Sequence, residues 1–269
     1  MNRSLHRVIC MAVIAVMIAA CATSPTGRRQ LMLVSEDSAI AQSKQAYVAT
    51  VTDFRKKGQI STDPAVNARV QEITGRLITE AIKMRPDSAD WEWSVVIVDD
   101  PDTVNAWCMA GGRMALYTGL LDEIQPTDDE LAQVMAHEIA HALANHSAEK
   151  MSMQMMSAAG IATVAIVSDN HAAALGGAAL AAQLAVNMPN SRSAETEADR
   201  IGIEIAAKAG YDPAAAATLW QKMGAQGGAP PQWLSTHPDP ENRQRKLAAL
   251  EPEMQKYYDP NGPHPVYRF

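Results

Sequence analysis

The sequence predicts an α+β protein that is predominantly helical, with one small sheet between two helical blocks. Three observations predict this class. Of the residues, 47% are hydrophobic but only 5% are aromatic, which favours helices over a β-sandwich or barrel. Several stretches repeat apolar residues at helical spacing, whereas the strand signals are confined to residues 91–118. At a length of 269 residues, the chain can bury one substantial core.

The N-terminus resembles a bacterial secretion signal. The basic region MNRSLHR precedes VICMAVIAVMIAA, an apolar run that is too short to span a membrane. The run ends in IAAC, which is typical of the lipobox of lipoproteins, so we expect lipidation of Cys21 after cleavage. An ordinary signal peptide with an incidental cysteine is the alternative. The predicted domains are a signal peptide over 1–20, a lipidated tether over 21–30 and one domain over 31–269.

This interpretation predicts a periplasmic protein that is anchored to the outer membrane by its lipid. Residue Ala22 follows the cysteine, and no aspartate is present there to indicate retention at the inner membrane. Cys108 would then be the only thiol left, so it is predicted to be a small buried hydrophobe without a disulfide. A net charge of −7 and the absence of any Lys/Arg run argue against nucleic-acid binding.

Helix and strand signals follow in order along the predicted domain. TDPAVNARVQEITGRLITEAI begins a helix with Asp63 as its N-cap, and WEWSVVIVDD is typical of a strand. TVNAWCM, a glycine pair and RMALYTG complete a small sheet, and a helix is predicted from Thr127 to His146. The apolar residues 157–186 predict two packed helices or a mobile hairpin, with a lid as the alternative. Two further helices are predicted over 193–208 and 213–223, followed by the flexible connector GAQGGAPP. A last helix is predicted to begin at Asp239–Pro240. Residues 210–250 thus form a C-terminal helical part, and residues 251–269 are predicted to be an irregular tail.

The stretch AHEIAHALANH contains the pattern H-E-x-x-H. At about 100° per residue, His137, Glu138 and His141 share one face of a helix. Two such imidazoles bind zinc, and the adjacent carboxylate reaches a water on the metal. Two core histidines bonded to backbone are the alternative. His146 lies about 180° from His137, so it is predicted to be a cation at the helix C-terminus rather than a ligand.

A third ligand is expected from SRSAETEADRIG. Glu195 and Asp199 are four residues apart and share a helix face, whereas Glu197 lies about 200° from Glu195. Only one glutamate can therefore face the metal. We prefer Glu195 because Asp199 could then bond a histidine ligand and fix its tautomer. A solvated acidic helix start is the alternative.

Together these motifs resemble the gluzincin metallopeptidases of family M48, which includes the CAAX prenyl protease, HtpX and the OMA-type mitochondrial protease. HEIAH and ETEAD carry the resemblance, with PTGRRQL, VNAWCMAGGRMALYTGLL, NSRSAE and LSTHPDPENR in support. It covers most of residues 25–250 and is closest to the soluble lipoprotein and OMA-like branch. Ala110 departs from the pattern, since relatives often carry proline before the glycine pair.

The resemblance implies a zincin-like fold and a zinc metalloendopeptidase with one Zn²⁺ per chain. His137, His141 and Glu195 would hold the metal with Asp199 in support, and Glu138 would act as the general base.

The resemblance also implies that His237 and Arg243 face the metal and stabilise the oxyanion. A neutral His237 could instead fill the open coordination position and silence the resting enzyme. A surface histidine beside a helix start is the third possibility.

Substrate is expected to pair as an extended strand with a sheet edge near 113–118. The resemblance places Asn105–Ala106 beside this groove, although an ordinary turn residue is the alternative for Asn105. The predicted partners are misfolded or unassembled envelope polypeptides, envelope-assembly proteins and the membrane. A chaperone or assembly factor with a normally closed protease site is the second hypothesis, and a purely structural lipoprotein is the third.

Overall fold

The computed structural model describes residues 21–167, 191–225, 233, 235, 237 and 240–269. The signal peptide, residues 168–186 of the apolar segment and most of the connector lie outside these ranges. No helix within the described ranges has the length and apolar character needed to cross a membrane. The helices are α1 Glu36–Lys56, α2 Pro64–Met84, α3 Thr118–Ile124, α4 Asp128–Leu143, α5 His146–Val167, α6 Arg192–Lys208, α7 Ala215–Ala225 and α8 Pro240–Met254, and the strands are β1 Cys21–Thr23, β2 Arg29–Leu31, β3 Ser94–Val98, β4 Ala106–Met109 and β5 Arg113–Tyr117.

This arrangement confirms the predicted fold class, a mostly helical α+β protein with a small sheet beside the H-E-x-x-H helix. The chain divides into two compact units. In the first unit, β1 and β2 form an antiparallel hairpin in which Cys21 lies opposite Leu31. Arg28 forms a bidentate ion pair with Glu149 of α5, at 2.7 and 2.6 Å. The predicted tether thus contains a hairpin, and its lipidation stays a prediction.

The second unit contains the core and begins within α1. Helix α2 begins as predicted, because the Asp63 carboxylate accepts hydrogen bonds from the backbone N–H groups of Ala65 and Val66. Helix α1 was not predicted. Of its residues only Ala39, Ser43 and Val51 are buried. Because so few positions face the core, the sequence of this helix carries no clear apolar stripe from which it could be predicted.

The second unit's sheet has the strand order β3-β5-β4. The prediction that the strand near 113–118 lies at an edge is therefore wrong. Gly111 and Gly112 take φ values of 83° and 78° in the turn that returns β5 antiparallel to β4, while β3 pairs in parallel along its other side. The backbone N–H and C=O groups of β5 are thus hydrogen-bonded to a neighbouring strand on both sides, and β4 is an edge strand of this sheet.

Helix α4 lies in the core and carries the H-E-x-x-H residues. A capping box of Thr127 and Glu130 begins it, as TDDE predicts. It ends at Leu143 rather than His146, because Asn145 adopts a left-handed φ of 56°, a conformation that asparagine tolerates. The predicted placement of His146 at the helix C-terminus is wrong, since this buried residue begins α5.

Candidate metal centre

Four buried side chains converge on one point. The Nε2 atoms of His137 and His141 lie 3.0 Å apart, and His137 Nε2 lies 3.1 Å from His237 Nδ1. Both carboxylate oxygens of Glu195 lie 3.0 Å from the same His237 nitrogen. One ligand atom from each of the four residues can be chosen so that all lie within 4.8 Å of one another. The predicted ligands are thus brought together with His237.

The distances fit a tetrahedral metal ion. Ligand atoms bound at 2.0–2.1 Å in a tetrahedron lie about 3.3–3.4 Å apart. Glu195 Oε2 lies 3.3 Å from Nε2 of His137, and the other carboxylate oxygen, Oε1, lies 3.3 Å from Nε2 of His141. Imidazole nitrogen and carboxylate oxygen are donors that zinc accepts. A cation among these four groups would satisfy lone pairs that otherwise face one another in a buried space.

Two helices present three of these four groups. His137 and His141 are one turn apart on α4. On α6, whose N-cap Ser191 accepts a hydrogen bond from the Ala194 backbone N–H, Glu195 lies in the first turn. Glu197 is also buried but lies outside the cluster, as its position on the helix predicts.

Asp199 and Arg243 lie behind the ligands. An Asp199 oxygen is 3.1 Å from His137 Nδ1, which is the ring nitrogen that faces away from the cluster. This contact would hold the proton on Nδ1 and leave Nε2 free for a metal. Arg243 donates from Nε to Asp199 at 2.9 Å, and its Nη1 lies 2.8 Å from Glu195. Arg243 thus contacts both acidic groups behind the ligands, and the role in stabilising an oxyanion that the resemblance implies for it stays a prediction.

The pKa values reflect this buried concentration of charge. Burial acts to raise the pKa of Asp199, but Arg243 and His137 outweigh it and hold that pKa below the ordinary value. Burial and Arg243 lower the pKa of His137, yet Asp199 and Glu195 together raise it to about 9. Metal binding needs neutral imidazole, so a metal must displace this proton when it binds.

Glu138, the predicted general base, adjoins the cluster and is buried. Its Oε1 accepts a hydrogen bond from the indole Nε1 of Trp233 at 2.9 Å and lies 3.4 Å from His237 Nε2. Sequence reasoning missed Trp233. The only available signal was its position four residues before His237 in QWLSTH.

Asn105 and Ala106 lie where the edge strand β4 begins. The Asn105 side-chain oxygen accepts from the Ala106 backbone N–H at 2.9 Å, and its carbonyl accepts from the N–H of Tyr117 at 3.1 Å. These two hydrogen bonds hold the backbone of Asn105 in place where β4 begins. Cys108 on β4 is buried as predicted, and burial, with the nearby Glu138 charge, raises the pKa of its thiol well above the ordinary value.

Close packing of α6 on α4 depends on Gly202. A Cβ atom there would lie 3.0 Å from both the N and Cα atoms of His137. We expect Gly202→Ala to lower the free energy of unfolding by about 1–3 kcal/mol and to weaken metal binding, because α6 must move away from the histidines. Urea unfolding of the metal-free protein and a metal titration would measure the two effects.

Gly224→Ala provides the matched control for that change. Gly224 is exposed on α7, and a Cβ atom there meets nothing within 4 Å. It should raise stability by about 0.4–1 kcal/mol and leave metal binding unchanged. Equal effects of the two substitutions would contradict the role given to Gly202.

The fold and the cluster define a zincin-type site, in which an H-E-x-x-H helix is completed by a glutamate from a later helix. The chain belongs to peptidase family M48, whose sequence profile matches residues 64–251.

Several characterised proteins are similar to it. Over 244 residues it is 33% identical to metalloendopeptidase OMA1, mitochondrial, of Bos taurus, covering 86% of this chain and 46% of that protein. The mitochondrial metalloendopeptidase OMA1 of Schizosaccharomyces pombe is 32% identical over 237 residues, with 86% and 66% covered. The beta-barrel assembly-enhancing protease of Escherichia coli is 29% identical over 214 residues, with 76% and 42% covered. The chain thus spans about half the length of the curated relatives that it matches.

Proposed function

We propose that this protein is a zinc-dependent metalloendopeptidase. The observation that carries the proposal is the convergence of His137, His141 and Glu195 beside the Glu138 carboxylate in a chain of this family. The residues fit zinc by donor type and by spacing. A zinc ion bound there would act as a Lewis acid toward a peptide carbonyl and lower the pKa of an attacking water.

The chain's own residues would then perform the proton transfers. Glu138 is buried beside His137 on the same helix and lies 3.4 Å from His237 Nε2, where it would accept the proton of the attacking water and return it to the leaving amine. Asp199 would hold the proton on His137 Nδ1, and Arg243 would keep Asp199 and Glu195 in place. An extended substrate would lie along β4, with Asn105 and Ala106 at the start of that edge.

His237 is proposed to close the site in the resting protein. Its Nδ1 lies 3.1 Å from His137 Nε2 and 3.0 Å from Glu195, so it stands where a fourth ligand would lie. These distances favour the blocking role over the oxyanion role. A site of this kind is active only in the small fraction of molecules in which the histidine has moved away.

Replacing His237 with alanine should raise basal cleavage of an unfolded protein. If the open form is about 1–10% populated, we expect an increase of roughly 10- to 100-fold. Initial rates on fluorescently labelled casein, at matched zinc content, would measure it. Lost activity at full zinc occupancy would support the oxyanion role instead.

The proposed substrates are misfolded or unassembled proteins of the bacterial envelope. Support comes from the lipobox pattern at Cys21, which suggests a lipid anchor to the outer membrane, and from the name of the Escherichia coli relative. A chaperone or assembly factor with a normally closed protease site is the second candidate. The contacts of His237 and Trp233 with the site favour it.

Removal of the metal tests the proposed activity. The purified protein should degrade casein, a strong zinc chelator should abolish degradation, and added zinc should restore it. Mass spectrometry of the peptides would show internal cleavage. Degradation that proceeds equally after complete removal of zinc would exclude this site as its source.

A further inference from the structure

Trp233 lies in an unusual position for a core residue. It is 1% exposed, and its indole N–H donates to the carboxylate of the proposed general base. Its ring also packs on His237, with ring centroids 4.8 Å apart, and meets His137 edge-on at 5.7 Å. The side chain therefore fills the space directly beside Glu138 and the ligand cluster.

The backbone of Trp233 also lies close to the sheet edge along which substrate is proposed to bind. Its N–H donates to the carbonyl oxygen of Val104 at 3.1 Å, and Val104 precedes the edge strand β4 by two residues. Peptides that add to a sheet edge bind through main-chain hydrogen bonds of this kind, and their side chains enter pockets. Trp233 combines both features, a main-chain bond near the edge and a buried side chain beside the reacting groups.

The recess that holds the indole is mostly apolar. Trp220 forms one wall, with ring centroids 5.1 Å apart, and Arg243 covers the Trp220 ring at 4.1 Å. A cavity of about 20 Å³ adjoins the indole. Four polar residues also line it, namely Gln133, His137, Asp199 and Arg243. Pockets that combine mainly apolar walls with a small number of polar groups suit large, mostly apolar side chains. The apolar side chains that line the cavity with Trp233 and Trp220 are Ile203, Ala216, Leu219 and Leu247.

We propose that Trp233 stands in the place of a substrate residue, and that its recess is the subsite for an aromatic side chain beside the cleaved bond. The inference rests on the proposed peptidase function and names its substrate class. Polypeptides that expose Trp, Phe or Tyr, as unfolded chains do, would displace Trp233. The backbone N–H of His237 donates to the carbonyl oxygen of Trp233 at 2.9 Å. Trp233 in the recess is therefore hydrogen-bonded to His237, whose ring lies among the ligand atoms.

The cleavage sites themselves provide the first test. The zinc-loaded protein would be incubated with an unfolded protein mixture, and the new termini would be sequenced. We expect aromatic residues at one fixed position flanking the cleaved bond, and peptides with Phe there should be cut at least about tenfold faster than the alanine versions. Cleavage that Glu138→Gln abolishes but that shows no aromatic preference would overturn this inference and leave the proposed function standing.

Binding provides a second test that needs no activity. Zinc-loaded Trp233→Ala should bind N-acetyltryptophanamide saturably in a calorimeter, and at least about tenfold more tightly than the wild type, in which the probe must displace Trp233. Adding Ala216→Leu should narrow the recess and weaken binding at least about tenfold. A folded Trp233→Ala protein that does not bind the amide would overturn the inference.

Trp233→Phe keeps a ring but removes the N–H donor, which covers the case in which the alanine variant does not fold. If Trp233 competes with substrate, this change should lower KM for an aromatic peptide several-fold, more than it changes kcat. A fall in kcat at constant KM would mean that Trp233 only positions Glu138, which would overturn the subsite assignment.

Discussion

Glu138→Gln should lower peptide-bond cleavage by about 10²- to 10⁴-fold while zinc content stays at the wild-type level. Glutamine is close in shape to glutamate, and its side-chain oxygen can still accept the Trp233 indole N–H. It cannot accept the proton of an attacking water. The loss is therefore chemical, and the helix and its ligands should be unchanged. Initial rates of casein degradation and metal analysis of the same samples would measure the two quantities.

Glu123→Gln is the matched control for this substitution. Glu123 is exposed on α3, and the same loss of one charge there should leave the rate unchanged. Equal degradation by the wild type and by Glu138→Gln would exclude catalysis through this site. A parallel loss of zinc would instead assign a structural role to Glu138.

Glu195→Ala should weaken zinc binding by more than about 100-fold. Loss of residues that merely support ligands weakens metal binding by about 10- to 100-fold, and loss of a ligand should exceed that. The change also removes a charge partner from the buried Arg243, whose Nη1 lies 2.8 Å from Glu195. Competition with a chromophoric chelator would measure the affinity, and circular dichroism would confirm that the variant is folded.

Glu197→Ala separates a ligand effect from a general effect on α6. Glu197 is buried on the same helix two residues away, but it lies outside the cluster. It should keep zinc affinity within a few-fold of the wild type. Loss of zinc in the Glu197 variant alone would overturn the ligand assignment.

Local signals predicted those parts of the fold that depend on neighbouring residues. Asp63 and the Thr127–Glu130 capping box begin helices where their side chains predict, because a cap acts over three residues. The end of α4 was missed because the left-handed conformation of Asn145 was not recognised in an otherwise helical pattern. The central position of β5 was missed because β3 pairs with the side of β5 opposite β4, and no local sequence signal shows with which strand β3 pairs.

The sequence alone determined which residues share a helix face. The periodicity of the α-helix puts His137 beside His141 and Glu195 on the face of Asp199, whatever the helices pack against. Only the tertiary structure decided how those faces meet. It brings Glu195 to His141 and His137, which lie 54 and 58 residues earlier in the chain, and Gly202 permits that close approach.

The tertiary structure also decided the roles of residues that no short motif relates to the site. It places His237 among the ligand atoms, Arg243 on the acidic groups behind them and Trp233 on Glu138. These contacts join residues about 40 to 100 positions apart. Local backbone geometry determines positions within a helix, whereas contacts between distant segments depend on how the whole core packs.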